Sequence, residues 1–336
     1  MRFFLTVALA FVLFLSGCNK EEEVCVSIPE TSDIKMNVII EQFQDSLIHV
    51  GSRDELVAFL TRQPIIRDHM LMRSNFPDDS VFINELYNRF NNPHLDTLLQ
   101  ETRQVFGDLS ALRSEFEQAF KNIAYYYPGF KPPKIQTVVT GLLGNDMLVT
   151  DSLIIIGLDF YLGKEGRYRP KVYDYLMRKY DPEDIVPSCM LIYGISDRFN
   201  KTNIKDKTTL ADMVAYGKSF FFAKHMLPCV PDSVFIWYTA AELQGSRKNE
   251  DLIWARFIED QVLFSTSQQT KKDYLGERPV TIQVGEKCPG RIGQWVGWRI
   301  VNRYAETHSD MPLPKLMELD NAQQFFKESN YRPQKR

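Results

Sequence analysis

The sequence predicts a predominantly helical α+β fold in a single domain, residues 33–336, carried behind an export signal and a short tether. Three observations predict it. Apolar residues recur at helical spacing for about a hundred residues after Asp33 and again beyond Pro170. Between these regions the period changes to short β-branched or wholly apolar runs bounded by glycine and proline. The composition, 44% hydrophobic and 25% charged, is that of a globular chain large enough to build a core without disulfide staples.

At the N-terminus, Arg2 precedes an unbroken apolar run from Phe3 to Leu15, and Leu15-Ser16-Gly17 places small residues directly before Cys18. This is a secretory signal ending in a lipobox, residues 1–17, and it predicts diacylglyceryl attachment to the Cys18 thiol. The apolar run is short against the ~20 residues a membrane span needs, so the chain is expected to be tethered to a membrane through lipid. Residues 18–32 then read as a lipidated flexible tether, polar and acidic at first.

From Asp33 onward helices are expected. Val38, Ile39, Phe43 and Leu47 recur at helical spacing, and Ser52 with Glu55 forms a capping box ahead of Leu56, Phe59 and Leu60. Helices over Val81 to Phe90 and Leu95 to Phe106 follow. Asp108 caps a run in which Leu109, Leu112, Phe116, Phe120 and Ile123 form one stripe. Tyr127-Pro128-Gly129 breaks that helix. Ile135 to Thr140, Asn145 to Val149 and Leu153 to Ile156 then read as three strands of a small sheet.

Helical patterns return over Val172 to Tyr180, Pro182 to Arg198, Leu210 to Met226, Asp232 to Leu243 and Asn249 to Phe264. Pro279 to Val284 reads as a brief strand. Pro289 to Tyr304 forms a further helix, with short helices over Leu313 to Leu319 and Asn321 to Lys327 closing the fold. In the helix after Pro289, Gly293 and Gly297 stand one turn apart, so a neighbouring backbone can approach that face closely. Arg291, Trp295 and Trp298 from the same stretch are the candidate partner-binding patch; a packed core helix with a snorkelling arginine is the alternative.

A net charge of -3 with pI near 6.0 describes no polybasic surface, so nucleic acid is not an expected partner. Besides Cys18, the cysteines are Cys25, Cys189, Cys229 and Cys288; two bridges in any of three connectivities, or free thiols, are open. The five histidines never occur in the HExxH spacing that puts two zinc ligands and a base on one helix face. GxSxG elbows, P-loops, Rossmann fingerprints and EF-hand loops do not occur either. Asp45 with His49 and His225 with Cys229 are two-ligand pairs, too few for a metal site. Asp151 and Asp159 flank the third strand, where a glycosidase would place paired carboxylates. No cofactor is expected.

Four segments resemble a known family in this order: Tyr126-Tyr127-Pro128-Gly129-Phe130, Leu158-Asp159-Phe160-Tyr161-Leu162-Gly163, Leu263-Phe264-Ser265-Thr266 and Pro289-Gly290-Arg291-Ile292-Gly293-Gln294-Trp295-Val296-Gly297-Trp298. They are similar to the GldB gliding-motility lipoproteins, and the likeness runs from about Ile34 to Pro333. The resemblance implies an envelope lipoprotein associated with gliding motility, a process linked to type IX secretion, with an envelope protein as partner. It brings no established catalytic activity, so a non-catalytic scaffold is expected; a hydrolase with an unrecognised site and a small-ligand-binding lipoprotein are the alternatives. Lys20-Glu21-Glu22-Glu23 resembles an acidic surface-sorting signal and reads equally as a solvated linker.

Thr209 to Phe220 is similar to the helix of predicted zinc-dependent peptidases that carries their third metal ligand, a glutamate. Tyr216 occupies that place here, and Pro187, Ser188 and Cys189 stand where the HExxH helix would fall. The resemblance implies a zincin-like fold whose metal site is lost. A tyrosine with pKa near 10 does not replace an anionic glutamate at neutral pH.

Overall fold

The computed structural model describes Cys25 and residues 28–333. The signal at 1–17, the lipidation site Cys18 and the acidic stretch 19–24 lie outside the described residues.

A four-stranded mixed sheet organises the molecule: β1 (Ile40–Gln42), β2 (Lys134–Val138), β3 (Met147–Val149) and β4 (Leu153–Gly157). Its order is β1-β2-β4-β3, with β1 and β4 parallel to β2 and β3 antiparallel on the outer side of β4. The run of isoleucines in β4 follows from this position. Ile154 and Ile156 face the larger hydrophobic cluster, Ile155 faces the smaller, and all three are fully buried. A strand covered on both faces reads as a continuous apolar run.

One face of the sheet packs on α1 (Arg53–Arg62), α2 (Asp79–Phe90) and α3 (His94–Phe106). The other packs on α4 (Ser110–Tyr126), α5 (Ile185–Ile195), α6 (Thr209–Met226) and α11 (Ile292–Thr307). The Ser52 cap holds, its side chain accepting from the amide of Glu55. So does the stripe on α4, where Leu112, Phe116, Phe120 and Ile123 are buried. Asp108 accepts from the Ser110 amide at 2.9 Å while Leu109 adopts a left-handed conformation between them.

Several expectations are corrected. The helix expected around Val38 to Leu47 is strand β1, because the period there is two: Val38 and Ile40 are buried while Ile39 between them is 56% exposed. Asp232 to Leu243 divides into α7 (Asp232–Ile236) and α8 (Ala240–Lys248) at Trp237, whose φ is 53°, and Thr239 with Glu242 builds a new capping box after the break. The next helix, α9 (Glu250–Glu259), stops five residues short of Phe264, and an unexpected α10 (Gln268–Tyr274) follows. Pro279 to Val284 contributes one isolated bridge, Val280 to Pro289. The Val172 to Tyr180 helix is a 3-10 turn over Asp174–Lys179. Two further helices, α12 (Leu313–Glu318) and α13 (Ala322–Ser329), end the fold as expected.

The tether expected to extend to residue 32 is tied down earlier. Cys25 forms a disulfide with Cys229, Pro29 and Thr31 are buried, and Gln118 on α4 donates to the Thr31 hydroxyl. Cys189 and Cys288 are free thiols.

Half-buried Glu115 on α4 faces an acidic turn, Asp181 to Asp184, ahead of α5. Burial, then the charge of Glu183, pushes the Glu115 carboxyl up to about 7, and burial likewise pushes Asp184 to about 7. A carboxyl whose folded pKa exceeds its unfolded value of ~4.3 binds more protons in the native state. Its contribution to stability therefore falls as pH rises from about 4 to about 7. Glu115→Gln is expected to raise stability by about 1 kcal/mol at pH 8, or ~2–4 °C in Tm, with the advantage gone at pH 5. Thermal melts across that range check this; an equal Tm for both proteins at pH 8 refutes it.

Candidate binding cleft

α5 is apolar on nearly every side, as expected of a helix enclosed by the core. It lies so close to α6 that a Cβ on Gly194 would come within 2.7 Å of the Ser219 carbonyl oxygen, and Ser219 donates back to the Leu191 carbonyl at 2.7 Å. These two helices, the edge strand β3 and Trp237 enclose a cavity of about 360 Å³.

On α5, Ser188 and Ile192 face the cavity one turn apart, and Tyr216 of α6 lines it as well. Met147 of β3 brings the free edge of the sheet to the same space, with Cys189 Sγ 3.3 Å from its sulfur. Tyr161 donates to Asp146 at 3.2 Å. Burial drives the Tyr161 phenol well above its ordinary range and the Tyr180 phenol up to about 12, so both stay neutral. Lys179 lines the cavity too, its ammonium 4.3 Å from the centroid of Trp237 and paired with Glu277. Burial lowers its pKa against the pull of that carboxylate.

The mouth is apolar. Ile192 and Ile195 are each 39% exposed and Tyr216 is 38% exposed, three of the larger hydrophobic side chains that the fold leaves in solvent. Contiguous exposed apolar surface marks interaction sites in soluble proteins.

Trp295 and Trp298 are buried, and Trp298 stacks on Phe220 with ring centroids 5.1 Å apart. Arg291 is also buried, 4.8 Å from the Trp237 centroid, donating to the Ile236 carbonyl and pairing with Glu277 at 3.3 Å. The expected surface patch of Arg291, Trp295 and Trp298 is therefore a core cluster. Its tryptophans belong to the face of α11 that packs inward, and Arg291 serves as a buried brace behind the cleft wall.

A family model described as "Gliding motility protein GldB" matches residues 25–333. The chain belongs to the GldB family. No curated protein and no solved structure matches it.

The other paired residues of this GldB chain are engaged elsewhere. Asp151 pairs with Arg198 at 3.3 Å, whereas Asp159 is fully buried and bonded to backbone amides, so they do not form a carboxylate pair. Cys229 is consumed by the disulfide, which removes it as a ligand alongside His225. Asp45 pairs with Arg103 at 2.6 Å and His49 with Asp96. Among the described residues no group of three or more His, Cys, Asp or Glu is placed to hold a metal ion, and no helix is long and apolar enough to cross a membrane. Of the cleft residues, the sequence marked Tyr216 and Ser188, while Cys189 is fully buried against Met147. Asp146, Lys179 and Trp237 reach the cleft from three separate segments, and no spacing within the chain announces them.

Proposed function

We propose that this GldB family member is an envelope lipoprotein, acylated at Cys18, that serves gliding motility or the linked secretion machinery by holding a partner protein segment in the cleft, without catalysis. One observation carries the reading: Ser188, Ile192 and Tyr216 converge on one cavity. Two positions one turn apart on one helix and a third on the next are where a zincin-like framework holds its metal. A hydroxyl, an alkyl group and a neutral phenol leave there a surface suited to contact. The free edge of β3 beside it offers main-chain hydrogen bonds to an extended segment.

The test is site-specific photo-crosslinking in cells from Ile195 at the cleft mouth, with Leu252, 61% exposed on α9, as the control position. A discrete envelope-protein adduct is expected from Ile195 and not from Leu252. Tyr216→Arg should lower its yield at least fivefold while circular dichroism is unchanged. Identical adduct patterns from both positions, or zinc retained stoichiometrically through dialysis together with peptide turnover, would overturn the proposal.

A further inference from the structure

We infer that the face around Cys229, with Tyr125, Tyr126, Phe221 and His225, rests on the lipid bilayer. This deepens the anchoring reading above and depends on acylation at Cys18. The disulfide fastens Cys25 to Cys229, an exposed residue just beyond the end of α6. Cys25 is seven residues from Cys18. However those residues are arranged, they span at most about 25 Å, because an extended chain advances ~3.3–3.6 Å per residue. A domain of this length is roughly 50 Å across. The leash is thus about half the width of the body it holds, and only the surface near Cys229 can reach the membrane. Without the disulfide, the first buried residue among those described is Pro29, eleven residues from Cys18. The reach would then grow to about 40 Å, enough for the body to roll onto other faces.

The surface placed there suits the membrane interface. Four rings form a continuous row: Tyr125 and Tyr126 at 5.0 Å between centroids, Tyr126 and His225 at 5.9 Å, His225 and Phe221 at 4.3 Å. They come from the C-terminal ends of α4 and α6, joined where Asn122 donates to the Met226 carbonyl at 2.8 Å. Tyr125 is 48% exposed, and Ile28, between the disulfide and the buried Thr31, is also exposed. Rings with an apolar body and a polar tip settle at the level of lipid headgroups. Burial lowers the His225 pKa and Nδ1 lies 2.7 Å from the Phe221 carbonyl.

Hydroxyl-radical footprinting of the acylated full-length protein on phosphatidylethanolamine and phosphatidylglycerol vesicles, against a Cys18→Ser form in solution, tests the orientation. Oxidation of Tyr125 and Tyr126 is expected to fall at least threefold on the vesicles, with Tyr173, 74% exposed, unchanged. A Cys25→Ser/Cys229→Ser variant, acylated and folded by circular dichroism, should recover most of the Tyr125 oxidation. Vesicle flotation separates the failures. Acylated protein that does not float defeats the anchoring reading; protein that floats with Tyr125 fully reactive, or with protection that survives loss of the disulfide, defeats this orientation alone.

Discussion

Asp159→Ala is expected to destabilise the protein by roughly 3 kcal/mol at pH 8, lowering Tm by about 6–10 °C. Asp159 is fully buried in the turn that follows β4, and its two carboxylate oxygens accept from the amides of Thr140 at 3.2 Å and Leu142 at 2.7 Å. Those amides belong to a turn in which Gly141 and Leu142 both have positive φ, so no regular ladder can satisfy them. Alanine leaves two donors buried without acceptors, at ~1–3 kcal/mol each, offset in part by removing a buried charge. Burial outweighs the bonds and raises the Asp159 carboxyl to about 6. Since the folded pKa lies above the unfolded one, this group's contribution declines as pH rises from about 4 to about 6 and is flat above that. Asp159→Asn, which keeps one accepting oxygen, should cost about half as much. Urea unfolding of the three proteins at pH 8 decides the matter, and a loss under ~1 kcal/mol for the alanine variant would mean that the turn is held by something else. The same turn leads into β3, so loosening it should also weaken crosslinking from the cleft.

A comparable or larger loss, ~3–5 kcal/mol, is expected for Gly297→Ala. A Cβ there would lie 2.5 Å from the carbonyl carbon of Met213 and 3.0 Å from its Cα, inside α6 backbone that cannot step aside. From the other side, a Cβ on Gly217 would fall 2.9 Å from the Trp298 amide nitrogen. The two glycines set the distance between α6 and α11, and the contact of Phe220 with Trp298 depends on it. Alanine gains ~1 kcal/mol of helix propensity over glycine, which the overlap exceeds. Gly245→Ala on α8, with nothing within 4 Å of the added Cβ, is the control and should be neutral or stabilising by ~0.5–1 kcal/mol. Near-ultraviolet circular dichroism with thermal melts reports both; a Gly297→Ala protein that melts like its parent would show that the helices can separate without cost.

The interior helices were legible because their signals are local. The stripe of α4, the Ser52 cap and the paired small residues of α11 each lie within a few turns, and each holds. β1 was not legible, since three residues are too few to separate a period of two from a helical one, and its partner lies far along the chain. The choice among cysteine pairings was equally beyond sequence, as Cys25 and Cys229 stand 204 residues apart. Of the cleft, only the part tied to a family likeness, Tyr216 and the segment around Ser188, could be found in advance. Trp295 and Trp298 misled because their chemistry suits an interface and a core alike; only the inward face of α11 settles which.

The parallel pairing of β1 with β2 has a bearing on how the molecule is made. Gln136 donates to Glu41 across 95 positions, so a chain made N-terminus first delivers β1 long before its neighbour arrives. Closing so long a loop is entropically slow. For that interval a bare strand waits unpaired, open to proteases and to strands of other chains, and the nascent polypeptide is most in need of a chaperone there.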